Sequence, residues 1–119
     1  MTLTIAQTAT FDRQWRALDL VDEDLRALEV QILLAPDAAP VVRGTGGVRK
    51  ARFARPGGGK SGGVRVCYAW FPSHATVFLL LAFAKNAQAN LTDAERGACR
   101  SVITRISAAL DAATRRTHG

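Results

Sequence analysis

Acidic side chains are missing from residues 38 to 92, a stretch that carries eight lysines and arginines. The rest of the chain is balanced differently: residues 1–37 have a net charge of −4 and residues 93–119 of +2, for +6 overall. Cysteine is scarce as well. Cys67 and Cys99 stand far apart and outside any CxxC spacing, so the expectation is two reduced thiols and no disulfide framework. His74 and His118 are single and scattered, which leaves no set of zinc ligands, and no metal or cofactor is expected. The most apolar run, Thr76 to Ala84, falls well short of the ~20 residues of a spanning helix. The N-terminus lacks the basic start and apolar stretch of a secretory signal. These absences point to a cytoplasmic protein with no membrane role.

What is present is ordinary in proportion, with 48% hydrophobic and 22% charged residues. Those values exclude a disordered, collagen-like or coiled-coil chain. A length of 119 residues matches a single domain, residues 1–119, on the usual allowance of roughly 100–200. Thr2 to Thr8 reads as a short strand. Thr10 is the expected cap of a first helix that buries Phe11, Trp15 and Leu18. A second helix begins near Asp22, its acidic trio Asp22, Glu23 and Asp24 suiting the positive end of the helix dipole, and Pro36 and Pro40 end it. Three strands follow, Val48 to Phe53, Val64 to Phe71 and Thr76 to Ala84, the last an unbroken apolar run expected at the doubly covered centre. Thr92 and Glu95 form a capping box for a final helix carrying Val102, Ile103, Ile106 and Leu110. From Ala112 to Gly119 no apolar anchor remains, and this tail is expected to fray. The order is β-α-α-β-β-β-α, an α+β fold with helices packed on a small antiparallel sheet.

Ala54 to Ser61, A-R-P-G-G-G-K-S, matches a relaxed phosphate-loop pattern. Such a loop needs a helix N-terminus immediately after it. Here Gly62 and Gly63 lead into Val64-Arg65-Val66-Cys67-Tyr68, a strand, and no later strand ends in an acid to hold magnesium. No nucleotide cofactor is expected. The loop reads as a hairpin tip whose Lys60 reaches toward phosphate.

The cationic block is patterned. Lys50 and Arg52 share one face of their strand, opposite Ala51 and Phe53. Arg49, Lys60, Ser61 and Arg65 fall close by, and Lys85 follows the third strand. Left to solvent, such a face discourages edge pairing. Its uncompensated charge makes phosphate the better explanation. The glycines on either side, Gly44, Gly46 and Gly47 before and Gly57 to Gly63 after, are read as keeping bulk away from an approaching backbone. Tyr68 shares parity with Val64 and Val66 and is expected in the core.

At these residues the chain resembles a known family. Thr45-Gly-Gly-Val-Arg-Lys-Ala-Arg-Phe, Gly59-Lys-Ser-Gly-Gly-Val-Arg-Val-Cys-Tyr, Leu81-Ala-Phe-Ala-Lys-Asn and Leu91-Thr-Asp-Ala-Glu look like the RelE/ParE superfamily of type II toxins, nearest the HigB-like branch. The resemblance implies a ribosome-dependent mRNA endonuclease, an mRNA interferase that inhibits translation. It also implies neutralisation by a cognate antitoxin, a helix-turn-helix protein encoded next to it. By position, Lys50 and Arg52 match the family's basic pair on the first hairpin strand, Arg65 the arginine opening the next, and Lys85 the basic position after the central strand. The chain departs from some members in having no histidine or glutamate on this face and no tyrosine in its last segment.

Metal-independent cleavage would use the RNA's own 2′-hydroxyl, with groups to accept its proton, neutralise the phosphorane and protonate the leaving 5′-oxygen. Arginine stays protonated, so Arg52 and Arg65 are electrostatic clamps. Crowding by like charge makes a lysine proton easier to lose, and Lys50, set among Arg49, Arg52 and Arg65, is the expected base. Lys85 is the next candidate for the base and the candidate acid. Arg49, Lys60 and Ser61 are expected to hold RNA, and Lys50 and Arg65 to be exposed. The antitoxin's apolar contacts are expected on the first two helices, with Trp15 near their exposed edge. A ParE-like poison of DNA gyrase and a non-catalytic nucleic-acid-binding module are the alternatives. A membrane-surface protein would need an amphipathic basic helix, which this strand-and-loop block does not supply.

Overall fold

Strand β1 (Thr4–Gln7) runs directly into helix α1 (Ala9–Ala17) and then α2 (Asp22–Leu34). Strands β2 (Arg49–Phe53), β3 (Val64–Phe71) and β4 (Thr76–Ala84) follow, with a 3-10 turn at Pro72–His74, and α3 (Asp93–His118) closes the chain. The structure is a computed structural model that describes residues 3–55, 63–88 and 90–118. Lys60 and Ser61 lie outside the described residues.

The sheet order is β1-β4-β3-β2. β2–β3 and β3–β4 are antiparallel, as hairpin-length links require. β1 instead joins β4 in parallel, Thr4 opposite Thr76, because both helices and the first hairpin intervene before its partner arrives. The expected antiparallel sheet therefore carries one parallel edge. Opposite Cys67 and Tyr68 stand Leu81 and Leu79, so Leu80 is an extra residue in β4. That bulge leaves Leu80 and Leu81 on the same face, opposite Leu79 and Ala82.

Each face has its own core. Helices α1 and α2 bring Phe11, Trp15, Leu28 and Ile32 onto Phe53, Val66, Tyr68, Val77 and Leu79. On the opposite face α3 brings Cys99, with Val102, Ile103 and Ile106, against Cys67, Ala69, Leu80 and Phe83. Both β3 and β4 are thus covered on two sides, which is why their sequences are almost wholly apolar.

The ends of the helices correct three expectations. Thr8, not Thr10, caps α1: its backbone is extended and its Oγ1 accepts from the Phe11 amide at 3.1 Å. The same hydroxyl donates to the Leu80 carbonyl at 3.1 Å, so the cap also ties the helix to β4. Trp15 is not at an exposed edge. It is 4% exposed, sandwiched between Phe11 and Phe53 with centroids 5.4 and 5.6 Å away. And α3 continues as helix to His118, across the tail expected to fray. His74 supplies the anchor, its Nε2 2.9 Å from Asp111 Oδ1 and its Nδ1 3.3 Å from Thr114 Oγ1.

Cys67 and Cys99 are free and buried in the α3 core. Burial pushes the Cys67 thiol up to about 12 and raises that of Cys99 as well. Since only the thiolate is reactive, Ellman's reagent at pH 8 is expected to find no fast thiol in the native protein and two after denaturation. Fast labelling of native Cys67 would mean that α3 lifts from the sheet ahead of global unfolding.

Candidate nucleic-acid interface

The β2–β3 hairpin sets the charges by register. Lys50 lies opposite Cys67 and Arg52 opposite Arg65, and on its other side Arg65 lies opposite Phe83 of β4. Two arginines directly opposed across strands repel each other. Lys85 comes one residue after β4, where its amide reaches the Gly63 carbonyl at 3.4 Å. Gly63 has φ of +58°, and a Cβ there would sit 2.9 Å from the Phe53 carbonyl oxygen, so the hairpin closes this tightly only with glycine.

Lys50, Arg52, Arg65 and Lys85 all line one cavity of about 540 Å³ along the outer edge of β2. Among the described residues no acidic side chain lines it. Arg52 and Lys85 are exposed, whereas Lys50, expected exposed, is half-buried. Arg65 departs from expectation: at 9% exposed it is a buried cation, because β3 is an interior strand. Tyr68 borders the cavity but is 1% exposed, and its hydroxyl donates to the Pro36 carbonyl at 2.7 Å. Burial raises its pKa, so the phenol stays protonated at neutral pH.

Other cations of the block have different employment. Arg49 alternates away from Lys50 and donates to the carbonyls of Asp37 and Ala39 at 2.8 and 2.7 Å, so it does not line the cavity. Arg55 pairs with Asp24 at 3.0 Å and also donates to the Asp19 carbonyl. Asp24 accepts from the Val21 amide at 2.9 Å, and that bond, with Arg55, holds its carboxyl below the ordinary value against the cost of burial. Acids distant in sequence thus compensate part of the charge that looked unrelieved. The 44–47 glycines also serve the fold: Gly46, at φ +80°, packs against Arg100 of α3.

Two contributors carried no sequence signal. Gln31 of α2 borders the cavity and donates to the Arg52 carbonyl at 2.8 Å. The α2–β2 connection adds Ala35, Ala38, Ala39 and Pro40 as an apolar wall. Among the described residues no three His, Cys, Asp or Glu side chains converge as a metal site, and no helix is long and apolar enough to cross a membrane.

A family model described as the RelE toxin of the RelE / RelB toxin-antitoxin system matches residues 3–117. Among solved structures, the intact E. coli RelBE toxin-antitoxin complex contains a chain with 21% identity and a TM-score of 0.53, the match covering 70% of this chain and 96% of that one. The isolated E. coli RelE toxin matches at 19% identity and a TM-score of 0.52, covering 85% of this chain and 99% of that one. At such identities these structures speak to the fold. They share its mixed sheet and helices.

Proposed function

Since this chain belongs to the RelE toxin family, we propose that it is a ribosome-dependent endoribonuclease that arrests translation by cutting messenger RNA. The observation that carries this reading is the convergence of Lys50, Arg52, Arg65 and Lys85 on one cavity bordered by no acid among the described residues. A phosphodiester is the ligand such a cationic cavity suits.

In this mechanism the 2′-hydroxyl attacks the adjacent phosphorus, forming the 2′-O–P bond as its proton passes to Lys50. Arg52 and Arg65 neutralise the phosphorane. The P–O5′ bond breaks as Lys85 protonates the departing oxygen, leaving a 2′,3′-cyclic phosphate and a 5′-hydroxyl. Lysine and arginine are weak proton-transfer groups, which supports reliance on the ribosome to align the strand. Lys60 and Ser61, between β2 and β3 in sequence, are proposed to hold flanking phosphates.

The proposal extends to a cognate antitoxin that masks the toxin, and to action in the cytoplasm, where its ribosomes are. In a purified translation reaction the protein is expected to cut mRNA on ribosomes and leave free mRNA nearly intact. Uncut mRNA together with blocked DNA supercoiling would overturn the nuclease reading in favour of a gyrase poison.

A further inference from the structure

The α2–β2 connection is fastened at four of its carbonyls. The Pro36 carbonyl accepts from the Tyr68 hydroxyl at 2.7 Å, and those of Asp37 and Ala39 from the Arg49 guanidinium at 2.8 and 2.7 Å. The Pro40 carbonyl accepts from the Lys50 amide at 3.0 Å. A backbone held at four carbonyls keeps its side chains in one arrangement. Ala35, Ala38 and Pro40 are exposed there, on the border of the cationic cavity. The cavity is therefore two-sided, with cations on one side and a fixed apolar wall on the other. A phosphate has no use for that wall, but the face of a nucleobase does.

Gln31 adds direction. Its Nε2 donates to the Arg52 carbonyl, and only the amide nitrogen can make that bond, so Oε1 points the other way as an acceptor. Gln31 is itself exposed. At about 540 Å³ the cavity lies within the roughly 300–1,000 Å³ range of small-ligand sites. Unpaired RNA bases are recognised in this manner, by contact with one face and hydrogen bonds at an edge.

We propose, building on the nuclease reading, that the Ala35–Ala38–Pro40 wall seats one unpaired base of the RNA strand and that Gln31 Oε1 accepts from its exocyclic amino group. Cytosine, adenine and guanine carry such a group. Uracil carries carbonyl oxygens instead, and an oxygen facing Oε1 leaves two acceptors opposed.

Cytosine and uracil match in size, so they isolate the contact. Fluorescence anisotropy with oligo(rC) and oligo(rU) at low salt is expected to show tighter binding of oligo(rC) by roughly three- to tenfold, the scale of one hydrogen bond. Gln31→Leu is expected to bring the two affinities together. Ala38→Glu, which sets a carboxylate on the wall, is expected to weaken both. Equal wild-type affinities, or a preference that survives Gln31→Leu, would overturn the proposal. A parallel assay on ribosome-bound mRNAs differing by C or U at the cut site separates the two readings. Cleavage whose C-over-U ratio is unchanged by Gln31→Leu leaves the nuclease standing and removes the base reader. Absence of cleavage with Gln31-dependent selectivity in binding removes the nuclease and keeps the base reader.

Discussion

On the proposed mechanism, Lys50→Ala is expected to abolish growth arrest in a protein that still folds. Losing a positioned proton acceptor lowers a rate by roughly 10²–10⁴-fold. Lys50 is half-buried at the β2 edge, so its truncation should leave both cores intact. Ribosome-dependent cleavage, growth after induction and a thermal melt together check the outcome. Its partner on the cavity needs gentler treatment. Arg65 is buried, and removing it would disturb the sheet as well as the chemistry, so Arg65→Lys is the more informative change, keeping the charge and losing the planar fork. If a correctly folded Lys50→Ala protein arrests growth as strongly as the wild type, the proton acceptor is another group.

The second large effect is on stability. Trp15→Ala is expected to destabilise the domain by about 3–5 kcal/mol, the range for deleting a buried aromatic. Trp15 joins α1 to β2 through Phe11 and Phe53, and its Nε1 donates to the Val21 carbonyl at 3.3 Å. The variant removes both ring contacts and that hydrogen bond. It too should cease to arrest growth, but by unfolding, and the melting temperature tells the two variants apart. A Trp15→Ala protein that melts like the wild type would mean the core refills around the gap. Because Trp15 is buried, an antitoxin helix has no access to it. The large apolar side chains that α2 exposes are Val30 at 56%, Leu33 at 39% and Leu34 at 82%.

The strands were legible because their punctuation is strong. Gly63, Pro72 and the apolar runs between them bound β3 and β4 at the residues expected. Alternation also placed Lys50 and Arg52 together. It argued equally that Arg49 faces elsewhere, yet closeness in sequence suggested including it. The choice between Thr8 and Thr10 as cap turned on where β1 ends, since a cap must be extended and Thr8 still follows the strand. Non-local contacts were illegible. Nothing in Arg55 announces Asp24, nothing in His74 announces Asp111, and neither Gln31 nor the Ala35–Pro40 wall belongs to a motif. These residues meet through tertiary packing, which a single sequence does not display.

The parallel pairing of β1 with β4 has a consequence for how the molecule is made. Thr4 is synthesised early and finds Thr76 only after β4 exists, whereas β2, β3 and β4 pair with near neighbours as soon as they emerge. Closing a large loop costs entropy before its contacts repay it, so local hairpins precede distant strands. The cationic hairpin is thus expected to form early, with the layer of α1 and α2 closing over it afterwards. That layer brings Gln31 and leads into the wall along β2. In that order the charges are gathered first and the cavity is finished by the helical layer that borders it.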